Sequence, residues 1–151
     1  MIKFVRDIYP PEELDQAYQN LQYINILVKK ICHVAYIMEL PNKVAMNLAI
    51  QAIIEELPSS YIKIHCGIIM DAVFHTMNIS SENIIYQVER ECKKTLDMIL
   101  EKVGMYTPGL NGVSVDFKNQ ILDKIIQQLC SMKAPARSLS MYFIERIASK
   151  V

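Results

Sequence analysis

The chain has 151 residues, 52% of them hydrophobic and 21% charged, with sixteen basic and sixteen acidic residues that leave no formal net charge. A length of this order is enough for a proper buried core. The balanced, apolar composition excludes a disordered acidic or basic tail and any global attraction to nucleic acid.

The first seven residues already carry Lys3 and Arg6 and hold no apolar run, so they do not read as a signal peptide. No apolar stretch approaches the ~20 residues of a membrane-spanning helix. The expectation is an intracellular protein of the cytoplasm or nucleus, in which the sequon at Asn78 is chance and serves as capping chemistry.

Pro10-Pro11-Glu12-Glu13 predicts a helix start, since proline suits the first turn and acids favour the positive end of the dipole. From there Leu14, Ala17, Leu21, Ile24, Val28, Ile31, Ala35 and Met38 recur at spacings of three and four. That stripe predicts one long helix, or two meeting near Asn20 or Asn25, ended by Pro41. Asn42 can cap the next helix, which runs to Leu57-Pro58. Residues 61–77 are apolar on most sides and predict a helix enclosed by others. Ser80-Ser81-Glu82 opens a further helix, and Gly104 terminates it. After the turn-rich Thr107-Pro108-Gly109-Leu110-Asn111-Gly112 come two last helices, about 114–130 and 136–150. Gly112–Phe117 is the one strand-like stretch and reads as the approach to a helix. The fold expected is all-α: a single domain, 1–151, of six to seven helices around the buried helix 61–77.

Enzymatic constellations are missing. No acid stands three residues before His33, His65 or His75, as a di-iron bundle needs, and no His-Glu-x-x-His or Gly-rich phosphate loop occurs. Cys32, Cys66, Cys92 and Cys130 form no Cys-x-x-Cys pair and fall in apolar-periodic segments, as buried free thiols do. Asp71 and His75, four apart on one helix face, are within hydrogen-bonding reach and read as a pair that satisfies itself. The expectation is a protein that is not an enzyme and takes no cofactor or metal.

Two features point towards binding. The nine methionines suit an adaptable apolar surface that receives another helix or a second copy of the chain. Met46, Ile50, Ile53, Met70, Phe74 and Met77, on the two helices 42–57 and 61–77, are the residues expected to line such a groove. The last 34 residues are richer in basic than acidic groups, which makes Lys118, Lys124, Arg137 and Lys150 the candidate contacts to an acidic partner or nucleic acid.

The chain also echoes itself. Lys30, Ile31, Met38, Pro41, Ile50 and Ile53 are matched 94 residues later by Lys124, Ile125, Met132, Pro135, Ile144 and Ile147. Each copy, within 27–54 and 121–148, reads as helix, proline turn, helix. This echo resembles the paired repeats of the cyclin fold, in particular the core of transcription factor IIB, with Leu40-Pro41-Asn42-Lys43-Val44 as its "Leu-Pro" turn. The resemblance implies a non-catalytic factor that binds a transcription complex or promoter DNA. Residues 61–77 also resemble the buried central helix of the Bcl family of apoptosis regulators, viral members included. Asn111-Gly112 through Asp116-Phe117 is similar to that family's Asn-Gly-Gly-Trp-Asp-x-Phe, while Ile68 after Gly67 leaves its signature arginine without a counterpart. That resemblance implies capture of an amphipathic pro-death helix in an apolar groove.

Overall fold

A computed structural model describes residue 13 and residues 22–37, 39–79, 85–107 and 113–150. The expected helix start at Pro10, the cap at Ser80-Ser81 and the turn at Pro108–Gly112 lie outside the described residues. The described residues form six α-helices and no strand: α1 Gln22–His33, α2 Leu40–Glu56, α3 Ser59–Ile79, α4 Ile85–Lys102, α5 Val115–Gln127 and α6 Ala134–Lys150. A short 3-10 turn follows α1 at Val34–Tyr36 and another follows α5 at Gln128–Cys130.

The apolar stripe that runs on to Met38 does not continue one helix. The α-helix stops at His33 and tightens into the 3-10 turn, a geometry common at helix ends. Pro41 then sits inside the first turn of α2, whose N-cap is Glu39. A proline there loses nothing, because its missing N–H would have had no intrahelical partner. Asn42 is thus not the cap; its amide donates to the Glu39 carboxylate at 3.0 Å. Pro135 takes the same place in α6.

The echo is reproduced by the backbone almost residue for residue. Shifted by 94, α2 coincides with α6, the first 3-10 turn with the second, and the end of α1 with the end of α5. Between these two corners lies the middle helix pair, α3–α4.

Named contacts fix how the pairs lie. Within the middle pair the helices are antiparallel: Ser59 Oγ donates to the Lys102 carbonyl near one end, and Cys92 Sγ lies 3.9 Å from the Val73 carbonyl further along. Between pairs, like helices run parallel. Asn25 of α1 meets Tyr61 and His65 of α3, and beyond α1's end Tyr36 stacks on His75, with ring centroids 4.0 Å apart. Lys93 and Asp97 of α4 likewise meet Tyr142 and Arg146 of α6 in order. The first and third pairs make no extensive contact with each other; each packs on the middle one. First helices α1, α3 and α5 form one layer, second helices α2, α4 and α6 the other.

One contiguous core runs between the layers, with Tyr61, Phe74 and Phe143 as its largest fully buried side chains. The apolar α3 packs against all five other helices. It is central as expected, yet not enclosed on every side, because Ile64 is 61% and Ile68 38% exposed.

Gly104 ends α4 as its residue type predicts. Its φ is +83°, the Met105 amide reaches back to the Leu100 carbonyl at 2.8 Å, and its own amide reaches Glu101 at 3.0 Å. This double closure needs a left-handed residue. A Cβ at Gly104 would also lie 2.9 Å from Val113 Cγ2. Gly104→Ala is therefore expected to cost about 1–3 kcal/mol, measured as the shift in a urea melt; an unchanged midpoint would contradict the strained turn.

Candidate interaction surface

The pairs are joined by buried polar contacts. Asn47 and Gln51 of α2 face Glu91, Cys92 and Thr95 of α4, and all five are buried. Gln51 Nε2 donates to Glu91 Oε2 at 3.0 Å and to Thr95 Oγ1 at 3.1 Å. The Thr95 hydroxyl has one proton for either Asn47 Oδ1 or the Glu91 carbonyl, each at 2.8 Å. The hydrogen bond from Gln51, followed by the nearby Arg90, holds the Glu91 carboxyl below the usual carboxylate range. Asn25 Oδ1 performs a similar service between α1 and α3, accepting from the Tyr61 hydroxyl at 2.7 Å with His65 Nε2 3.0 Å away. Between the second and third pairs, Asp97 accepts from Tyr106 at 2.7 Å and from Arg146 at 2.8 Å.

Burial of His65, and secondarily the charge of Lys29, lowers its pKa below the ordinary 6.5. As pH falls the unfolded chain then takes up the proton first. The contribution of His65 to stability is intact above about pH 6.5 and is lost as pH drops through the lower folded value. His75, lowered by burial and by Lys43, adds in the same direction. Urea midpoints are expected to fall between pH 7.5 and 5, and His65→Gln to flatten that slope; a flat wild-type profile would contradict it.

The groove expected on α2 and α3 is filled by the fold. Met46, Ile50, Ile53, Met70, Phe74 and Met77 are all buried, the most accessible being Ile53 at 6%. They belong to the single hydrophobic core, on two helices packed against their neighbours in the chain. The basic candidates face solvent in part, but each is engaged within the chain. Lys118 donates to the Thr107 carbonyl at 3.3 Å, Lys124 to Asp71 at 2.7 Å, and Arg137 to the Ser131 carbonyl at 2.7 Å. Lys150 Nζ sits 4.2 Å from the centre of the Tyr106 ring.

Asp71 and His75 do not pair with each other. Asp71 takes Lys124, whose stem crosses bare Gly67 of α3 (a Cβ there would lie 3.4 Å from Lys124 Cε), while His75 takes Tyr36. Of the cysteines, Cys32, Cys66 and Cys92 are buried free thiols, and burial pushes the last two up to about 12. Such thiols are poor nucleophiles. Cys130 differs from expectation: it lies exposed in the second 3-10 turn. Among the described residues no group of three His, Cys, Asp or Glu could hold a metal ion, and no helix is long and apolar enough to cross a membrane.

An opening with an apolar lining lies on the third pair. A cavity of about 410 Å³ runs between α5 and α6 and is lined by Val115, Asn119, Leu122, Ile144, Ile147 and Ala148, with Met105 and Lys118 at its edge. Apart from Lys118, none of these residues is marked as a site by the linear chain. The signal that finds them is the same echo, followed two residues further back from Leu27 to the identical pair Asn25 and Asn119.

Stacked antiparallel pairs, parallel between neighbours and packed chiefly on neighbours, are the geometry of an α-solenoid. A family model described as the Tra1 HEAT repeat ring region matches residues 3–151. The chain belongs to the Tra1 HEAT repeat ring family. HEAT units of two or three helices run about 40–47 residues, so the 94-residue echo spans two units with the α3–α4 pair between. The chain is thus a helical repeat, and the repeat is a HEAT one; the family that matches is neither the cyclin-fold core nor the Bcl regulators. No curated protein and no solved structure matches the chain.

Proposed function

We propose that the chain is a non-catalytic length of HEAT-repeat scaffold that works by holding other proteins, in a nuclear, transcription-related setting. The match to the Tra1 HEAT repeat ring family over residues 3–151 carries this reading. Solenoids of this kind present extended surfaces rather than enclosed pockets, and bind through them. The internal engagement of Lys118, Lys124, Arg137 and Lys150 supports a protein partner over nucleic acid. On the outer ridge of α3, exposed Ile64 and Ile68 offer apolar surface beside the Asp71–Lys124 ion pair.

The test compares the tagged chain with an Ile64→Glu/Ile68→Glu variant by quantitative cross-linking in nuclear extract. The expected result is loss of specific cross-linked proteins from the variant at an unchanged thermal midpoint. A parallel titration of labelled duplex DNA at 50 and 150 mM salt is expected to show no tight, steeply salt-dependent binding. Tight DNA binding abolished by Lys118→Ala/Arg137→Ala would replace the scaffold reading with a nucleic-acid one.

A further inference from the structure

The 94-residue register states what the α5–α6 groove is for. Each lining residue of the third pair has a counterpart in the first. Leu122 corresponds to Val28, Ile144 to Ile50, Ala148 to Ile54 and Asn119 to Asn25. In the first pair, Val28, Ile50 and Ile54 are buried at 1%, 0% and 2%, with α1 packed against α3 and α2 packed against both α3 and α4. In the third pair, Leu122 and Ile144 are half-buried and Ala148 is exposed. Ile147 and its counterpart Ile53 are equally buried, at 7% and 6%. Burial is thus lost on one face of the third pair and gained on another, where Ile121 is 2% exposed against 41% for its counterpart Leu27. Asn25 bonds across the first junction to Tyr61 and His65, whereas Asn119 stands exposed at the groove.

We infer that the α5–α6 groove is the seat for a further helix pair of the same type. That pair lies on α5–α6 as α3–α4 lies on α1–α2, with a tyrosine- or histidine-bearing first helix whose donor reaches Asn119. The inference rests on the solenoid reading and names the partner of one face: an antiparallel helical hairpin with apolar residues in the positions of Ile62, Cys66 and Ile69. Continuity with the existing junction supplies the chemistry. Apolar side chains at the Val28, Ile50 and Ile54 positions close over a helix, and one amide oxygen sets its register.

The chain's own middle pair is the probe. Residues 58–107 are duplicated after Val151, which places the second Pro58 after α6 as the first stands after α2. Leu122→Cys, in a Cys130→Ser background, reports on the groove through its rate of maleimide labelling. The extended chain is expected to gain helical signal and to label at Cys-substituted position 122 about tenfold more slowly or less, since a covered site reacts only through local opening. Tyr61→Phe with His65→Ala in the appended copy alone should restore much of the rate. Equal labelling with and without the extension, or an extension that adds no helix, overturns the inference. So does a concentration-dependent dimer of the unextended chain that Leu122→Glu abolishes, which would give the groove to a second copy. Val28→Cys in the unextended chain is the control: free labelling there would mean that the stacking itself is wrong, whereas protection there with a bare position 122 condemns the groove assignment alone.

Discussion

Phe74→Ala is expected to destabilise the protein by about 3–5 kcal/mol, the usual loss for a buried aromatic with an unfilled cavity. Phe74 is 2% exposed and stands on α3, the helix that touches all five others. The ring's removal opens a void where helices of more than one pair converge, and several helices cannot close in on it together. Circular dichroism at 222 nm under a urea gradient measures the effect. Loss of a single cooperative transition would show the pairs separating before they unfold; a cost under about 1 kcal/mol would mean that α3 is not the structural hub. In an open groove, Phe74 would make the same substitution a test of partner binding. With the side chain in the core, any binding defect it causes reports on folding.

Thr95→Val is the second large effect, about 2–4 kcal/mol for a change that alters neither size nor shape. The hydroxyl accepts from Gln51 Nε2 and donates towards Asn47 or the Glu91 carbonyl. Valine leaves these buried amide groups short of partners, and an unmade buried hydrogen bond costs more than a made one contributes. Adding Asn47→Leu should recover part of the loss, because the buried amide oxygen that valine strands is removed with it, while Gln51 keeps its bond to Glu91. Denaturant melts of the two single variants and the double variant provide the cycle. A Thr95→Val protein within about 0.5 kcal/mol of the parent would mean that these buried hydrogen bonds do not hold the first two pairs in register.

Helix type and approximate extent were legible along most of the described chain, since spacings of three and four leave little choice. The strongest residue-level signals were backbone ones. Gly104 terminates α4 because a positive φ demands it, and the prolines at 41 and 135 mark equivalent corners. The spacing reads Pro41 as the end of a helix, whereas it stands in the first turn of the next. Side-chain partners were less legible. Asp71 and His75 share a helix, but their partners come from α5 and from the 3-10 turn after α1, elements distant in sequence. Local spacing carries no information about either. The six apolar residues assigned to a groove show the same limit, for an apolar face looks alike whether it meets a neighbouring helix of the chain or a separate protein.

By itself, the sequence determined an all-α chain with a repeated helix–proline–helix corner, an apolar central helix and no visible constellation for catalysis. These follow from periodicity, backbone chemistry and residue type, which act locally. The tertiary structure alone decided that the pairs stack as a solenoid, that the expected groove is core, and that the open apolar face lies between α5 and α6. Burial is settled by which faces meet. Leu122 and Val28 occupy the same place in the repeat, yet one is open and the other is sealed, because a helix pair packs on the first corner while the described structure leaves the equivalent face of the second uncovered.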